Sequence, residues 1–180
     1  MKTIKTYCTT QLREDIILKK NKKNTFQSPI LKKIGLNIGV KEANSNANKI
    51  LPAIVTLFLI TGQVPTITKA HKSIANFKLR KNKIIGCKTT LRNSQMYNFL
   101  EKFIHVALPQ IIENKPCLYK NRQLTNHITL GIKDCNIFPE LENQYNLLST
   151  IHGLNIDLFL KEYGLNKKNL FFSGLKMKFH

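Results

Sequence analysis

Three stretches of the chain alternate between apolar and polar positions. In Ile30–Val40, the residues Ile34, Leu36, Ile38 and Val40 face one way, and Lys33, Gly35, Asn37 and Gly39 the other. In Lys83–Arg92, Ile85, Cys87, Thr89 and Leu91 oppose Gly86, Lys88, Thr90 and Arg92. In His127–Lys133, Ile128, Leu130 and Ile132 oppose His127, Thr129, Gly131 and Lys133. A period of two predicts half-buried strands. Val64–Thr68 reads as a short β segment and Leu154–Leu160 as a last strand. Helical spacing appears elsewhere. Residues 94–108 place Met96, Phe99, Leu100, Phe103, Ile104, Ala107 and Leu108 on one stripe, with Asn93 or Ser94 as cap and Pro109 as a stop. His105 lies off that stripe and reads as a surface histidine. Residues 6–23 predict a first helix, with Leu12, Ile16 and Ile17 on one side. Residues 44–59 predict another, with Ile50, Ile54, Leu57 and Phe58 inward; it either kinks at Pro52 or begins near Leu51. A short helix is expected around Leu170–Leu175. Asn24–Pro29, 113–126 and Asp134–Asn146 read as connections.

Half-buried strands and striped helices assemble most economically as an α+β fold, a mostly antiparallel sheet with helices packed on one face and a long basic loop. The length of 180 residues suits a single domain, 1–180. The open sheet face would present Asn37, Gly39, Lys88, Thr90, Arg92, Thr129 and Lys133. Two glycines flank Asn37, which suggests close approach of another backbone; a twisted strand with a solvated amide is the simpler reading of that segment alone.

Charge sharpens this picture. Lys and Arg total 29 against 10 Asp and Glu, a net charge of +19 with a pI near 10.0. No acid occurs between Glu42 and Glu101, and within that zone the run Lys69–Arg92 carries eight cations: Lys69, Lys72, Lys78, Arg80, Lys81, Lys83, Lys88 and Arg92. Residues 69–81 show no period of either kind and read as a long loop. A solvated loop is the ordinary explanation of a charge run. Here the run ends in a strand pattern, so it is tied to the core. Such a surface belongs beside a polyanion, and Phe77 within it offers a ring on which a base can stack. A nucleic acid is the first expectation and an anionic membrane surface the second. No apolar run approaches the roughly 20 residues of a spanning helix; the longest, Ile50–Ile60, contains Pro52 and Thr56. Residues 1–13 faintly resemble an organelle presequence, although an ordinary first helix accounts for them better. Lys, Ile and Asn are abundant and Trp is absent, as in AT-rich organellar or reduced bacterial genomes.

Catalytic chemistry finds no foothold. Cys8, Cys87, Cys117 and Cys135 are scattered without a C-x-x-C pair. His71, His105, His127, His152 and His180 lack metal-ligand spacing, and no P-loop is present. Asp134 and Glu140 flank a Phe-Pro turn and read as loop residues. A Cys87–His pair has nothing to recommend it. No cofactor or metal is expected, and no enzymatic activity.

Several blocks carry a resemblance. They are Leu31–Ala43 (LKKIGLNIGVKEA), Leu59–Leu91 (LITGQVPTITKAHKSIANFKLRKNKIIGCKTTL), Phe99–Pro109, Gly131–Glu140 (GIKDCNIFPE) and Ile151–Asp157 (IHGLNID). In order, across about residues 30–160, the chain resembles the bacterial-type universal large-subunit ribosomal protein five family. Residues 1–29 and 161–180 depart from the pattern; KKNLFFSGLKMKF stands where the family has an acid-rich helix. The resemblance implies an RNA-binding constituent of the central protuberance, in a mitochondrial ribosome by the composition, with the bacterial cytoplasm or another organelle as alternatives. It implies 5S rRNA and large-subunit rRNA as partners, through Asn37, Gln63, Phe77, Arg80 and Thr90. It implies that the loop Lys69–Arg80, with Lys69, His71, Lys72, Ser73 and Lys78, reaches P-site tRNA. It implies a bridge from the region of residues 110–145 to a small-subunit head protein. Lys88 and Arg92 join the RNA face by periodicity, and Gln63 rests on the resemblance alone. The main rival is a stand-alone basic RNA-binding protein or RNA chaperone. An RNA-modifying enzyme lacks a cofactor motif. A peripheral membrane protein lacks a basic amphipathic helix, since residues 94–108 carry only Lys102 as a cation.

Overall fold

A computed structural model describes residues 4–19, 21, 28–44, 46–114, 118–120, 127–144, 152–161, 168–175 and 177. The chain divides into two compact units. The first comprises Met1–Ile34, Leu91–Leu130 and Asp157–His180, and the second Gly35–Thr90 and Gly131–Ile156. Six strands form one sheet, in the order β2-β3-β1-β6-β5-β4. They are β1 (Ile30–Gly39), β2 (Thr66–Lys69), β3 (Ile84–Leu91), β4 (Leu118–Lys120), β5 (His127–Asp134) and β6 (His152–Lys161). The class is α+β with an antiparallel sheet, as the alternation requires. Of the expected inward residues, Ile34, Leu36, Ile38, Cys87, Thr89, Leu91, Ile128, Leu130 and Ile132 are buried, whereas Val40 and Ile85 are half-buried. The connections at 22–27, 115–117, 121–126 and 145–151 lie outside the described residues.

In the first unit, α1 (Ile4–Thr9) and α2 (Gln11–Lys19) replace the single helix expected over 6–23. Leu12 and Ile16 point inward as the spacing predicts. The Tyr7 hydroxyl donates to the carbonyl of Gly174 at 3.0 Å and so ties α1 to α6 (Lys168–Gly174), the short tail helix. Arg13 Nε donates to the buried Ser28 hydroxyl at 3.0 Å.

The long helix departs from expectation at both ends. Helix α4 (Asn93–Lys102) is capped by extended Arg92 with no side-chain cap bond, rather than by Asn93 or Ser94. It does not stop at Pro109. A π-helical turn, Phe103–Ala107, leads into α5 (Leu108–Asn114). Proline removes an N–H and its ring crowds the carbonyl four residues earlier. The wider turn just before Pro109 shifts the bonding register and relieves that crowding. Met96, Phe99, Leu100, Phe103 and Ala107 remain buried, and Phe99 stacks on Phe103 at 6.0 Å.

In the second unit, α3 (Leu51–Thr61) follows 3-10 turns at Lys41–Asn44 and Ala47–Ile50. Pro52 falls in its first turn, where the missing N–H costs nothing, so the helix begins at Leu51 rather than kinking. Its buried residues are Ala53, Thr56, Leu57 and Ile60, whereas Phe58 is exposed. Residues 51–61 hold no charge, so hydropathy could not choose the inward side. Small Ala53 and Thr56 can approach the core most closely, and they face it. Thr56 satisfies its hydroxyl by donating to the Pro52 carbonyl at 2.9 Å.

Gly62 ends α3 in the left-handed region, at φ 68°, with its N–H on the Phe58 carbonyl at 2.7 Å. Any Cβ is strained there, so Gly62→Ala is expected to cost about 1 kcal/mol. A urea titration checks this, and an unchanged midpoint would contradict it.

Candidate nucleic-acid interface

The basic run folds into an extended hairpin. Strand β2 pairs antiparallel with β3, with Thr66 opposite Lys88 and Thr68 opposite Gly86. The Thr66 hydroxyl donates to the Lys88 carbonyl at 3.1 Å. Beyond the strands the arms stay joined. Ala70 N–H donates to Lys83 O and Asn82 N–H to Ala70 O, each at 2.9 Å. Farther out, Ile74 and Leu79 exchange bonds of 3.0 and 3.1 Å around a 3-10 turn, Ala75–Phe77. Lys78 (φ 52°) and Asn82 (φ 69°) make the left-handed bends. Ser73 accepts the Lys81 N–H through its hydroxyl at 3.0 Å. Residues 69–81, expected as a loop, therefore carry their own hydrogen-bonded ladder.

This ladder faces its side chains outward. Lys69, His71, Lys72, Ser73, Lys78 and Arg80 are all exposed, and Phe77 at the tip is 70% exposed. The exposed Ser73 hydroxyl braces the hairpin through its bond with the Lys81 N–H. Burying an aromatic ring is worth several kcal/mol, and leaving Phe77 in water is a cost that a stacking partner would offset.

On the sheet itself, the second unit exposes Asn37 and Gly39 from β1 and Lys88 and Thr90 from β3. Leu36, Ile38, Cys87 and Thr89 lie buried on the other side. Gln63 is exposed just beyond the Gly62 cap, where its N–H donates to the Thr61 hydroxyl at 3.2 Å. Arg92 is exposed at the N-terminus of α4.

The segment around Asn37 does meet another backbone closely, and the glycine that permits it is Gly86 on β3. A Cβ on Gly39 would meet nothing within 4 Å. A Cβ on Gly86 would sit 2.3 Å from the Ile38 carbonyl oxygen and 3.1 Å from Gly39 Cα. Strand β3 thus presses on β1 at Gly86, two and four residues before exposed Lys88 and Thr90.

Sequence reasoning left β6 without a face. Asn155 is exposed, and Asp157 and Phe159 alternate with buried Leu154, Ile156 and Leu158; the period of two was there to be used. In the first unit this face satisfies itself. Lys33 Nζ lies 4.3 Å above the Phe159 ring, His127 stacks on that ring at 5.3 Å, and Thr129 donates to Asp157 at 2.7 Å. A carboxylate at its centre makes it a poor phosphate surface.

Burial pushes the thiols of Cys8, Cys87 and Cys135 up to about 11. They stay protonated at neutral pH, and Cys87 is fully buried, out of reach of a substrate. No group of three or more His, Cys, Asp or Glu is arranged to hold a metal among the described residues. Among them, no helix is long and apolar enough to cross a membrane.

Residues 24–80 match the model of the family described as ribosomal protein L5, and residues 84–179 match the model of that family's C-terminus. The chain belongs to the ribosomal protein L5 family. It is a structural constituent of the ribosome and not an enzyme, with ribosomal RNA and ribosomal proteins as partners. It is 38% identical over 177 residues to the large ribosomal subunit protein uL5m of Reclinomonas americana, covering 98% of this chain and 97% of that relative. It is 45% identical over 134 residues to the large ribosomal subunit protein uL5 of Clostridium kluyveri, covering 74% and 73%. Residues 161–179, which depart from the family pattern on inspection, lie inside the second family match.

Proposed function

We propose that the chain binds 5S rRNA in the large subunit of a mitochondrial ribosome, and that its hairpin touches P-site tRNA. The observation that carries this reading is the exposed, acid-free hairpin, joined through β3 to exposed Asn37, Lys88 and Thr90. Lys88, Arg80 and Arg92 supply phosphate contacts, which fix position without reading sequence. Asn37, Gln63 and Thr90 supply amides and a hydroxyl that bond bases or 2′-hydroxyls of a non-helical RNA segment. Phe77 stacks. Lys69, His71, Lys72, Ser73 and Lys78 form or brace the tRNA-contacting hairpin. The region around residues 110–145 meets a small-subunit head protein. The full-length similarity to a uL5m protein and the Lys, Ile and Asn skew support the mitochondrial assignment.

Sedimentation of a native extract, with sequencing of RNA crosslinked to the tagged chain, tests this reading. Comigration with the large subunit, with crosslinks to 5S-type RNA and tRNA, is expected. A free protein crosslinked to diverse RNAs would replace it with an RNA chaperone. Asn37→Ala is expected to narrow the affinity gap between cognate and arbitrary RNA by about 1–3 kcal/mol in filter binding. If the variant discriminates as well as the parent, Asn37 does not read RNA.

A further inference from the structure

Helix α3 has a second apolar side. Leu51, Val55 and Phe58 are 56%, 38% and 46% exposed, at i, i+4 and i+7. That spacing puts them on one stripe, apart from the buried set. A helix apolar all round is ordinarily buried all round, and only one side of α3 is covered here.

The surrounding charges decide what can cover the other. The turn Pro139–Gln144 packs against α3 and brings Glu140 and exposed Glu142. Exposed Glu42, paired with Lys49, lies at the N-terminal end. Glu140 and Glu142, two of the chain's ten acids, therefore border one charge-free helix, whereas Glu42 is already neutralised by Lys49. RNA phosphates and anionic lipid would be repelled by exposed Glu142. A second copy would bring another net charge of +19 against the first. A protein segment with an apolar ridge and flanking cations matches both the stripe and its acidic border.

We propose that Leu51, Val55 and Phe58 form a docking stripe for a Lys- or Arg-flanked amphipathic helix of a neighbouring ribosomal protein. The apolar ridge lies along the stripe and the flanking cations meet Glu142. This rests on membership of the ribosome and not on the RNA contacts proposed above.

The test replaces Val55 with the photo-crosslinking residue p-benzoylphenylalanine in the full chain, assembled into native ribosomal particles. A product mapped to a cation-flanked amphipathic segment of another protein is expected. Its yield should fall at least about fivefold when Glu142→Lys is added, as expected when a complementary charge is reversed. Crosslinks to RNA, lipid, a second copy or the chain itself would overturn the proposal. So would a yield insensitive to Glu142→Lys, or no product from particles that contain the chain. Leu51→Ser with Phe58→Ser serves as a second arm. It should leave the urea midpoint of the free protein and its RNA affinity within about twofold, as surface substitutions do, while the captured partner is lost from particles. Retention of the partner would count against the stripe. The same photo-crosslinker in place of Phe77 separates the two readings, because it reports the RNA contact alone.

Discussion

Gly86→Ala is expected to destabilise the protein by about 3 kcal/mol and to weaken RNA binding with it. The new methyl would lie 2.3 Å from the Ile38 carbonyl oxygen and 3.1 Å from Gly39 Cα. Both are backbone atoms, so no side chain can swing aside. Either β3 lifts from β1 at this point or the strand buckles. Lys88 and Thr90 follow Gly86 on β3, and Asn37 sits beside Ile38 on β1, so the three would lose their mutual spacing. Urea titration should show a lower midpoint at an unchanged slope. Gly39→Ala supplies the comparison. Its Cβ meets nothing within 4 Å, and it is expected to stay within about 0.5 kcal/mol of the parent. Equal stability of the two variants would mean that Gly86 does not set the strand contact.

The same glycines show where the sequence was legible and where it was not. Period-two alternation placed Asn37, Lys88 and Thr90 on an open face because each strand has one side in the core and one in water. It could not say which glycine meets a neighbouring strand, since that depends on register between residues about fifty apart in the chain. The hairpin escaped for a different reason. Its order comes from backbone bonds, such as those joining Ile74 to Leu79, and from left-handed Lys78 and Asn82. Neither leaves a hydrophobic period. In α3 the difficulty was excess: with eleven uncharged residues, apolar spacing named Phe58 as inward, and small Ala53 and Thr56 took that side. Pro109 read as a stop because a π turn has no signature in spacing. Gln63 carried no physical signal and entered through family resemblance.

Removing three cations from the hairpin and β3 is expected to have the larger effect on RNA binding. In Lys72→Ala, Arg80→Ala, Lys88→Ala combined, each lost phosphate contact reduces the slope of log affinity against log salt by about 0.7–0.9. The triple variant should therefore lose a slope of roughly 2–3, and affinity at 0.1 M salt should fall on the order of a hundredfold or more. All three side chains are exposed and none props the core, so stability should change by about 0.5 kcal/mol or less. A matched triple, Lys5→Ala, Lys19→Ala, Lys41→Ala, removes the same charge from exposed sites outside the hairpin. It separates local contact from general attraction. If a chain of +19 simply attracts polyanions, the two triples lose affinity equally and shift the slope alike. If the hairpin and β3 are the interface, the slope change belongs to the first triple. Equal slopes in the two would remove the hairpin as the binding surface, whatever the total affinity.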